Sequence, residues 1–238
     1  MRPAAKRAEV LTLLMENVLM VDPKRSARDS ARWSDSDHLW LDHVTLVEED
    51  LSWLAKVRWA TFWNVKYPAG FLSRLPNLEY LDVRGGSGAS ADFVVGCTSL
   101  RYLTINQVRG LTDLSAIADA IGLYFLSLYG LPRVTQIPSL KALRNLDRAE
   151  IGSMKGLDGV SGLLQAPLLT ELLFHKTVGV TQADAEAIAT HHSIRKFAWF
   201  AEDVPERIYV PFVERVGKPS TDFDWWERNS GGPAHETE

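Results

Sequence analysis

The feature that most constrains this chain is an apolar pattern that recurs about every 23 residues. Three apolar positions, spaced as in Leu-x-x-Leu-x-Leu, recur seven times between residues 54 and 199. The middle positions follow one another at intervals of 24, 22, 23, 23, 23 and 25 residues. A regular period of this length is typical of proteins built from stacked repeats. The seven triplets are Leu54-Val57-Trp59, Leu78-Leu81-Val83, Leu100-Leu103-Ile105, Leu123-Leu126-Leu128, Leu146-Ala149-Ile151, Leu169-Leu172-Phe174 and Ile194-Phe197-Trp199.

Each triplet predicts a short β-strand, because two apolar residues separated by one position lie on the same face of a strand. A weaker pair, Leu39 and Leu41, predicts one further unit ahead of the seven. After three of the triplets the apolar spacing of three continues, as in Leu111-Leu114-Ile117, which suits turns and short helices behind the sheet. One unit cannot bury its apolar stripe alone, so neighbouring units must supply the core.

This repeat resembles the leucine-rich repeat family, in its short bacterial class of about 22 residues, over roughly residues 37–203. Segments 110–117 and 156–163 carry the resemblance most clearly. It implies an α/β repeat solenoid, a horseshoe with a curved parallel β-sheet on its concave side and short helices or turns on its convex side. An array of two-helix repeats is the alternative, but such repeats are longer, about 33 to 47 residues.

The chain departs from the family in one respect. The family usually carries Asn five residues after the middle leucine, where its side chain binds backbone groups of the loop. The seven equivalent positions here are Phe62, Gly86, Val108, Leu131, Met154, Thr177 and Glu202. We therefore expect apolar packing to hold the loops on that edge.

The two ends of the chain differ from the repeats and predict caps. Residues 1–36 are expected to form an N-terminal helical cap, with an amphipathic helix over residues 4–20. The repeats occupy residues 37–203, as seven clear units and one weak one. Residues 204–238 are expected to form a C-terminal cap and flexible tail, with an extra strand over 207–213. Within the tail, Trp225 and Trp226 either cover the last repeat or form a partner-binding peptide.

Composition narrows the classes of partner. A net charge of −4 argues against a nucleic-acid partner, because no basic excess is available to neutralise phosphates. No apolar run approaches the roughly 18 residues that a membrane span needs. Cys97 is the single cysteine, so an intrachain disulfide is excluded, and a cytoplasmic protein without a membrane partner is expected. Its position is equivalent to Leu75, which predicts a buried and unreactive thiol.

No set of residues has the spacing of a catalytic site, a cofactor motif or a metal site. The expectation is a protein that is not an enzyme and has no catalytic residues, no cofactor and no metal. His175 directly follows a predicted strand on the side expected to face a ligand. An enzyme that uses His175 with Glu150 or Glu171 is one remaining alternative.

The concave face offers a better candidate site. Residues that alternate with the apolar positions are expected to point to this face, and in three successive units they are aromatic and charged. Aromatic and arginine side chains dominate the binding energy of protein interfaces. Alternatively, the aromatic side chains only stabilise the sheet by cross-strand contact. The candidate binding residues are Tyr80, Asp82, Arg84, Tyr102, Asn106, Phe125 and Tyr129.

The sequence therefore predicts a non-enzymatic protein–protein interaction module that binds another protein on its concave face. An immunity or adaptor protein is a narrower hypothesis within this class. The alternative is a small-molecule or peptide sensor that uses Tyr80, Tyr102 and Phe125 as an aromatic shelf. A deep pocket over that shelf would favour the sensor, and a broad open face would favour protein binding.

Overall fold

The computed structural model describes residues 26–34 and 38–221. The predicted helix over residues 4–20 and the tail residues Trp225 and Trp226 lie outside this range.

The described chain forms one sheet of nine strands that lie side by side in chain order. Strand β1 is antiparallel to β2, and every later neighbouring pair is parallel. The strands are β1 (Arg32–Trp33), β2 (His38–Asp42), β3 (Trp59–Trp63), β4 (Tyr80–Arg84), β5 (Tyr102–Asn106), β6 (Phe125–Tyr129), β7 (Arg148–Met154), β8 (Glu171–Val178) and β9 (Lys196–Phe200).

Strands β2 to β9 direct their second and fourth residues towards the core. On β5 and β6 the register aligns Leu103 with Leu126 and Ile105 with Leu128, and all four side chains are fully buried. Burial of one such side chain is worth roughly 1.5–3 kcal/mol, so the stack is stabilised unit by unit. The six predicted strands from β4 to β9 are thereby confirmed as adjacent and parallel. The weaker unit at Leu39 and Leu41 is also confirmed, as β2.

The predicted position of β3 is wrong by three residues. Trp59, predicted to face the core, is the first residue of the strand and is only half-buried. Ala60 and Phe62 face the core instead, aligned with Leu81 and Val83 of β4. The local sequence is compatible with both registers, because Val57, Ala60 and Phe62 have the same spacing as Leu54, Val57 and Trp59. The second register is harder to detect, since alanine is a weak apolar signal.

One backbone feature recurs without a sequence pattern. In seven successive units, the residue after the fifth strand position has a positive φ, a region that costs most residues roughly 1–2 kcal/mol. Only two of the seven are glycine, so the surrounding hydrogen bonds hold the other five in this conformation. The seven residues are His43, Asn64, Gly85, Gln107, Gly130, Ser153 and Lys176.

The connections between strands pack behind the sheet through short helical turns. Their buried residues, such as Leu72, Val94, Ile117 and Leu163, join the same core cluster as the strands. The 3-10 helices are 48–50, 72–74, 92–94, 115–119 and 163–165. The α-helices are α1 (Ala27–Ser30), α2 (Leu51–Leu54), α3 (Gln182–Thr190) and α4 (Glu206–Val216). Of the helices in this part of the chain, none has the length and apolar character to cross a membrane.

The C-terminal strand predicted over residues 207–213 is wrong, because this segment lies within helix α4. Phe212 and Val216, four residues apart, are both buried, as expected for one face of a helix. Phe212 contacts the core rings of Phe174 and Trp199, with ring centroids 6.1 and 5.1 Å away. Helix α4 ends at Gly217, whose φ of 61° is left-handed. The core face at the end of the stack is thus covered by a helix.

Close contact between successive turns gives a first prediction. A Cβ on Gly162 would lie 2.0 Å from the Ile137 carbonyl oxygen, whereas one on Gly88 would lie 4.0 Å from its nearest neighbour. We expect Gly162→Ala to reduce the free energy of unfolding by about 1–3 kcal/mol, as overpacked sites do. Gly88→Ala, the matched control, should change it by less than about 1 kcal/mol. Denaturant titration measures both, and equal stabilities would contradict this packing.

Cys97 gives a second prediction. The thiol is half-buried rather than fully buried, and its Sγ lies 3.5 Å from the Phe93 carbonyl oxygen. Burial raises the pKa of Cys97 to about 11, which depletes the reactive thiolate. We expect a disulfide reagent at pH 7.5 to label native Cys97 about 100-fold more slowly than the unfolded chain. Similar rates in the two states would show that the thiol is accessible and ionised.

Candidate functional site

The face of the sheet opposite the core, here called the front face, consists of the first, third and fifth residues of strands β2–β9. Because the strands are in register, these residues form three rows with a spacing of about 4.8 Å. The first row is His38, Trp59, Tyr80, Tyr102, Phe125, Arg148, Glu171 and Lys196. The second is Trp40, Thr61, Asp82, Thr104, Ser127, Glu150, Leu173 and Ala198, and the third is Asp42, Trp63, Arg84, Asn106, Tyr129, Gly152, His175 and Phe200.

All seven candidate binding residues lie on the front face, on the adjacent strands β4, β5 and β6. The rings of Tyr80 and Tyr102 have centroids 6.5 Å apart, and Tyr102 also meets Tyr124 edge to face. Phe125 is aligned with Tyr102 on the next strand. The three aromatic side chains of the first row are therefore neighbours, as the repeat register predicts.

The expectation that these aromatic residues form an exposed shelf is wrong for two of them. Phe125 is 0% exposed and Tyr80 is 8% exposed, and Asp82, on the same strand as Tyr80, is also buried. Burial raises the pKa of Tyr80 above its ordinary value, so this phenol stays protonated. Tyr102, Arg84, Asn106 and Tyr129 are half-buried. Periodicity in the sequence distinguishes the two faces of a sheet, but it contains no information about what covers the second face.

Charged side chains dominate the other half of the front face. Arg148 is only 3% exposed and lies between two carboxylates, 2.8 Å from Glu150 and 2.9 Å from Glu171. Lys196 Nζ lies 3.1 Å from the second oxygen of Glu171, and His175 Nε2 lies 3.8 Å from Glu150. These five residues are here called the charged network. Along its first row, Arg148, Glu171 and Lys196 alternate in charge across three strands. Pairing of this kind offsets the cost of removing the charges from water.

The electrostatics of Glu150 bear on the enzyme alternative. Burial by itself would raise the pKa of Glu150, but the contacts with His175 and Arg148 outweigh it and lower the pKa below its usual value. Glu150 is thus an ionised carboxylate beside Arg148 and His175. The structure brings His175 and Glu150 together, as that alternative requires, but Glu150 also accepts a hydrogen bond of 2.9 Å from Arg148 Nε.

Sequence reasoning missed a cluster of aromatic residues on the front face of β2 and β3. Trp40 and Trp63 have ring centroids 6.1 Å apart, and the Trp63 residue is 40% exposed. The Arg84 guanidinium lies 5.5 Å from the Trp40 ring centroid and binds Asp82 at 2.7 Å. We call Trp40, Trp63 and Arg84 the tryptophan cluster. It extends the candidate site by two strands.

A signal for the tryptophan cluster was present in the sequence. Leu39, Ala60 and Leu81 are separated by 21 and 21 residues, and Leu41, Phe62 and Val83 repeat the same intervals. This second register places Trp63 on the front face, whereas the register anchored on Val57 does not. A comparison of both registers over three units would have found the cluster.

Two open depressions lie at the margin of the front face, along the side where the strands begin. One, of about 360 Å³, is lined by Arg101, Tyr102, Gly122, Tyr124 and Asn145. The second, of about 540 Å³, is lined by Tyr124, Asn145, Asp147, Pro167, Leu168, Thr170, His192, Ser193 and Arg195. Both follow the ends of the strands where the chain enters the sheet, and neither includes Tyr80 or Phe125. They therefore do not provide the deep pocket over the aromatic shelf that a sensor would need.

Comparison of the chain with protein-family models and with curated protein sequences gave no match. The candidate site is therefore argued from its own geometry. Within residues 26–34 and 38–221, no three His, Cys, Asp or Glu side chains are grouped so as to hold a metal ion.

The lowered pKa of Glu150 gives a third prediction. Since the folded-state pKa lies below the unfolded value of about 4.3, ionised Glu150 stabilises the fold above that pH and loses this effect as the pH falls. We expect Glu150→Gln to be less stable than the native chain at pH 7, with a difference that shrinks towards pH 3. Thermal unfolding at several pH values measures this. Glu202→Gln, at an exposed position, is the control for surface charge, and a pH-independent difference for Glu150→Gln would contradict the charged network.

Proposed function

We propose that the chain is a leucine-rich-repeat solenoid and a non-enzymatic protein-binding module. In this proposal the front face is the concave face of the horseshoe, and a partner protein contacts it. The observation that carries the proposal is the difference in side-chain chemistry between the two faces of one sheet. The core face is apolar, while the front face carries aromatic, arginine and carboxylate side chains that the core does not use.

The accessible part of the front face has the chemistry of a protein interface. Trp63 is exposed and Arg84 and Asn106 are half-buried along the third row, with Tyr102 half-buried in the first. Tryptophan, tyrosine and arginine are the residue types most enriched among binding hot spots. The Arg84–Asp82 pair holds the guanidinium in place, which reduces the entropy lost on binding. A partner is therefore proposed to contact the tryptophan cluster and Tyr102 together.

Within this class, an immunity or adaptor protein that binds one cognate partner remains the narrower proposal. A broad row of side chains suits a flat or convex protein surface better than a small molecule. The single cysteine is compatible with a cytoplasmic setting.

The proposal predicts which substitutions abolish binding. With the native chain as bait, affinity capture from host extract followed by mass spectrometry identifies the partner. Trp63→Ala and Tyr102→Ala should each weaken that partner's binding by about 30-fold, the loss expected for a hot spot worth about 2 kcal/mol. Calorimetric titration with the purified partner measures the change.

Two controls make the experiment specific. Trp33 is also an exposed tryptophan, 52% exposed against 40% for Trp63. It is aligned with core-facing Leu39, so its side chain lies away from the front face. Lys155 is exposed beyond the front-face positions of β7. Trp33→Ala and Lys155→Ala should leave the affinity unchanged. Full affinity in both Trp63→Ala and Tyr102→Ala would refute a front-face interface.

A further inference from the structure

The front face is buried over much of its width, from β3 to β8. First-row Phe125, Arg148 and Glu171 and second-row Leu173 are all buried, although their side chains point away from the core. At the other end of the sheet, Trp40 and Trp59 are half-buried and Trp63 is exposed. Second-row Thr61, Asp82 and Thr104 are buried as well, so the cover extends over the middle of the face, from β3 to β8.

The helices in the described part of the chain do not account for this cover. Phe212 of α4 packs against Phe174, Phe197 and Trp199, which are all core-facing. Ala185 and Ile188 place α3 in the core cluster too. Helix α1 contacts β2, at the end of the sheet where the front face is more exposed. Helices α3 and α4 thus lie on the core side of the sheet.

The last described residues bring the chain to the edge of β9. The Phe197 N–H donates a hydrogen bond of 2.9 Å to the Pro219 carbonyl oxygen, and Thr221 is buried. Lys196, the neighbour of Phe197, is the first-row residue of this strand. Burial, and after it the charge of nearby Arg195, lower the pKa of Lys218. Residues 222–238 continue from this point.

The remaining segment has the length and chemistry to cover the buried rows. Its 17 residues can extend about 55 Å, whereas β9 and β4 are separated by five strand spacings, about 24 Å. It carries Phe223, Trp225 and Trp226, which match the aromatic first row. Asp222 and Asp224 come four and six residues after Lys218 and suit the positive charges of Arg195 and Lys196 at the β9 edge. Residues 1–25 contain no aromatic side chain and precede α1 at the opposite end of the sheet.

We propose that the front face is a peptide-binding site for an aromatic and acidic sequence, and that residues 222–238 of this chain are its resident ligand. The segment crosses the first row from β9 towards β4, with its aromatic side chains on Tyr102 and Phe125 and its carboxylates beside Lys196. The inference goes beyond the proposed function, because it requires no partner protein. A partner that uses the same rows has to displace the segment or present similar chemistry.

Photo-cross-linking of the full chain tests the location of the segment. Benzoylphenylalanine in place of Trp225 should cross-link within one molecule to front-face residues of β5 to β9, as mapped by mass spectrometry. The same label in place of Trp33 is the matched control and should give no cross-link to these rows. Cross-links from position 225 to the core-side turns or to a second copy would overturn the proposal. So would cross-links to the same rows from a label at Val18, which would make residues 1–25 the occupant.

Competition by a free peptide tests the chemistry of the site. A labelled peptide of residues 219–238 should bind the full-length double variant Trp225→Ala/Trp226→Ala at least tenfold more tightly than the native chain, whose own segment competes. A control peptide with Phe223, Trp225 and Trp226 replaced by alanine should bind neither protein. Circular dichroism verifies that the double variant is folded. Equal affinity for the variant and the native chain would refute the resident ligand, whatever the result of partner capture.

Discussion

The alternation of side chains along each five-residue strand is the constraint on which the rest of the structure depends. The second and fourth residues enter the core, and the first, third and fifth form the front face. Because the period of a strand is two, an odd displacement of the register moves every side chain to the other face. The three-residue displacement at β3 does this: it moves Trp59 from the core to the front face and places Ala60 and Phe62 in the core. The composition of both faces follows from the register.

Much of the fold could be predicted because successive units repeat the same spacing of apolar residues. Equivalent apolar residues such as Leu103 and Leu126 recur at nearly constant intervals, so six strands follow from the spacing. Their parallel order was what the resemblance to leucine-rich repeats implied. Helix α4 could not be found in this way, because it occurs once and Ile208, Val210 and Phe212 also alternate as in a strand. The positive φ of the residue after the fifth strand position could not be predicted either. It depends on backbone hydrogen bonds and not on a preferred residue type, as Gln107 and Lys176 demonstrate.

The candidate site was less predictable than the core, for a related reason. Placement of Tyr80, Tyr102 and Phe125 on adjacent strands follows from the register, but their burial depends on groups distant in sequence. The charged network is an example: Arg148 meets Glu150 on its own strand and Glu171 from the next unit. Charges held in this way resist rearrangement, since each loss of a partner leaves an uncompensated charge. In our interpretation, the charged network is the rigid part of the front face and the tryptophan cluster is its accessible part.

The short antiparallel strand β1 has a consequence for assembly. A stack of parallel units has no intrinsic length, because its last strand offers the same hydrogen-bonding groups as every strand before it. Arg32 and Trp33 occupy those groups on β2 in the reverse direction, and at the other edge the Pro219 carbonyl takes the Phe197 N–H. Neither edge then presents the uninterrupted pattern that would template the addition of a strand from another molecule. Two residues of reversed chain thus interrupt the parallel pattern of hydrogen-bonding groups at the β2 edge.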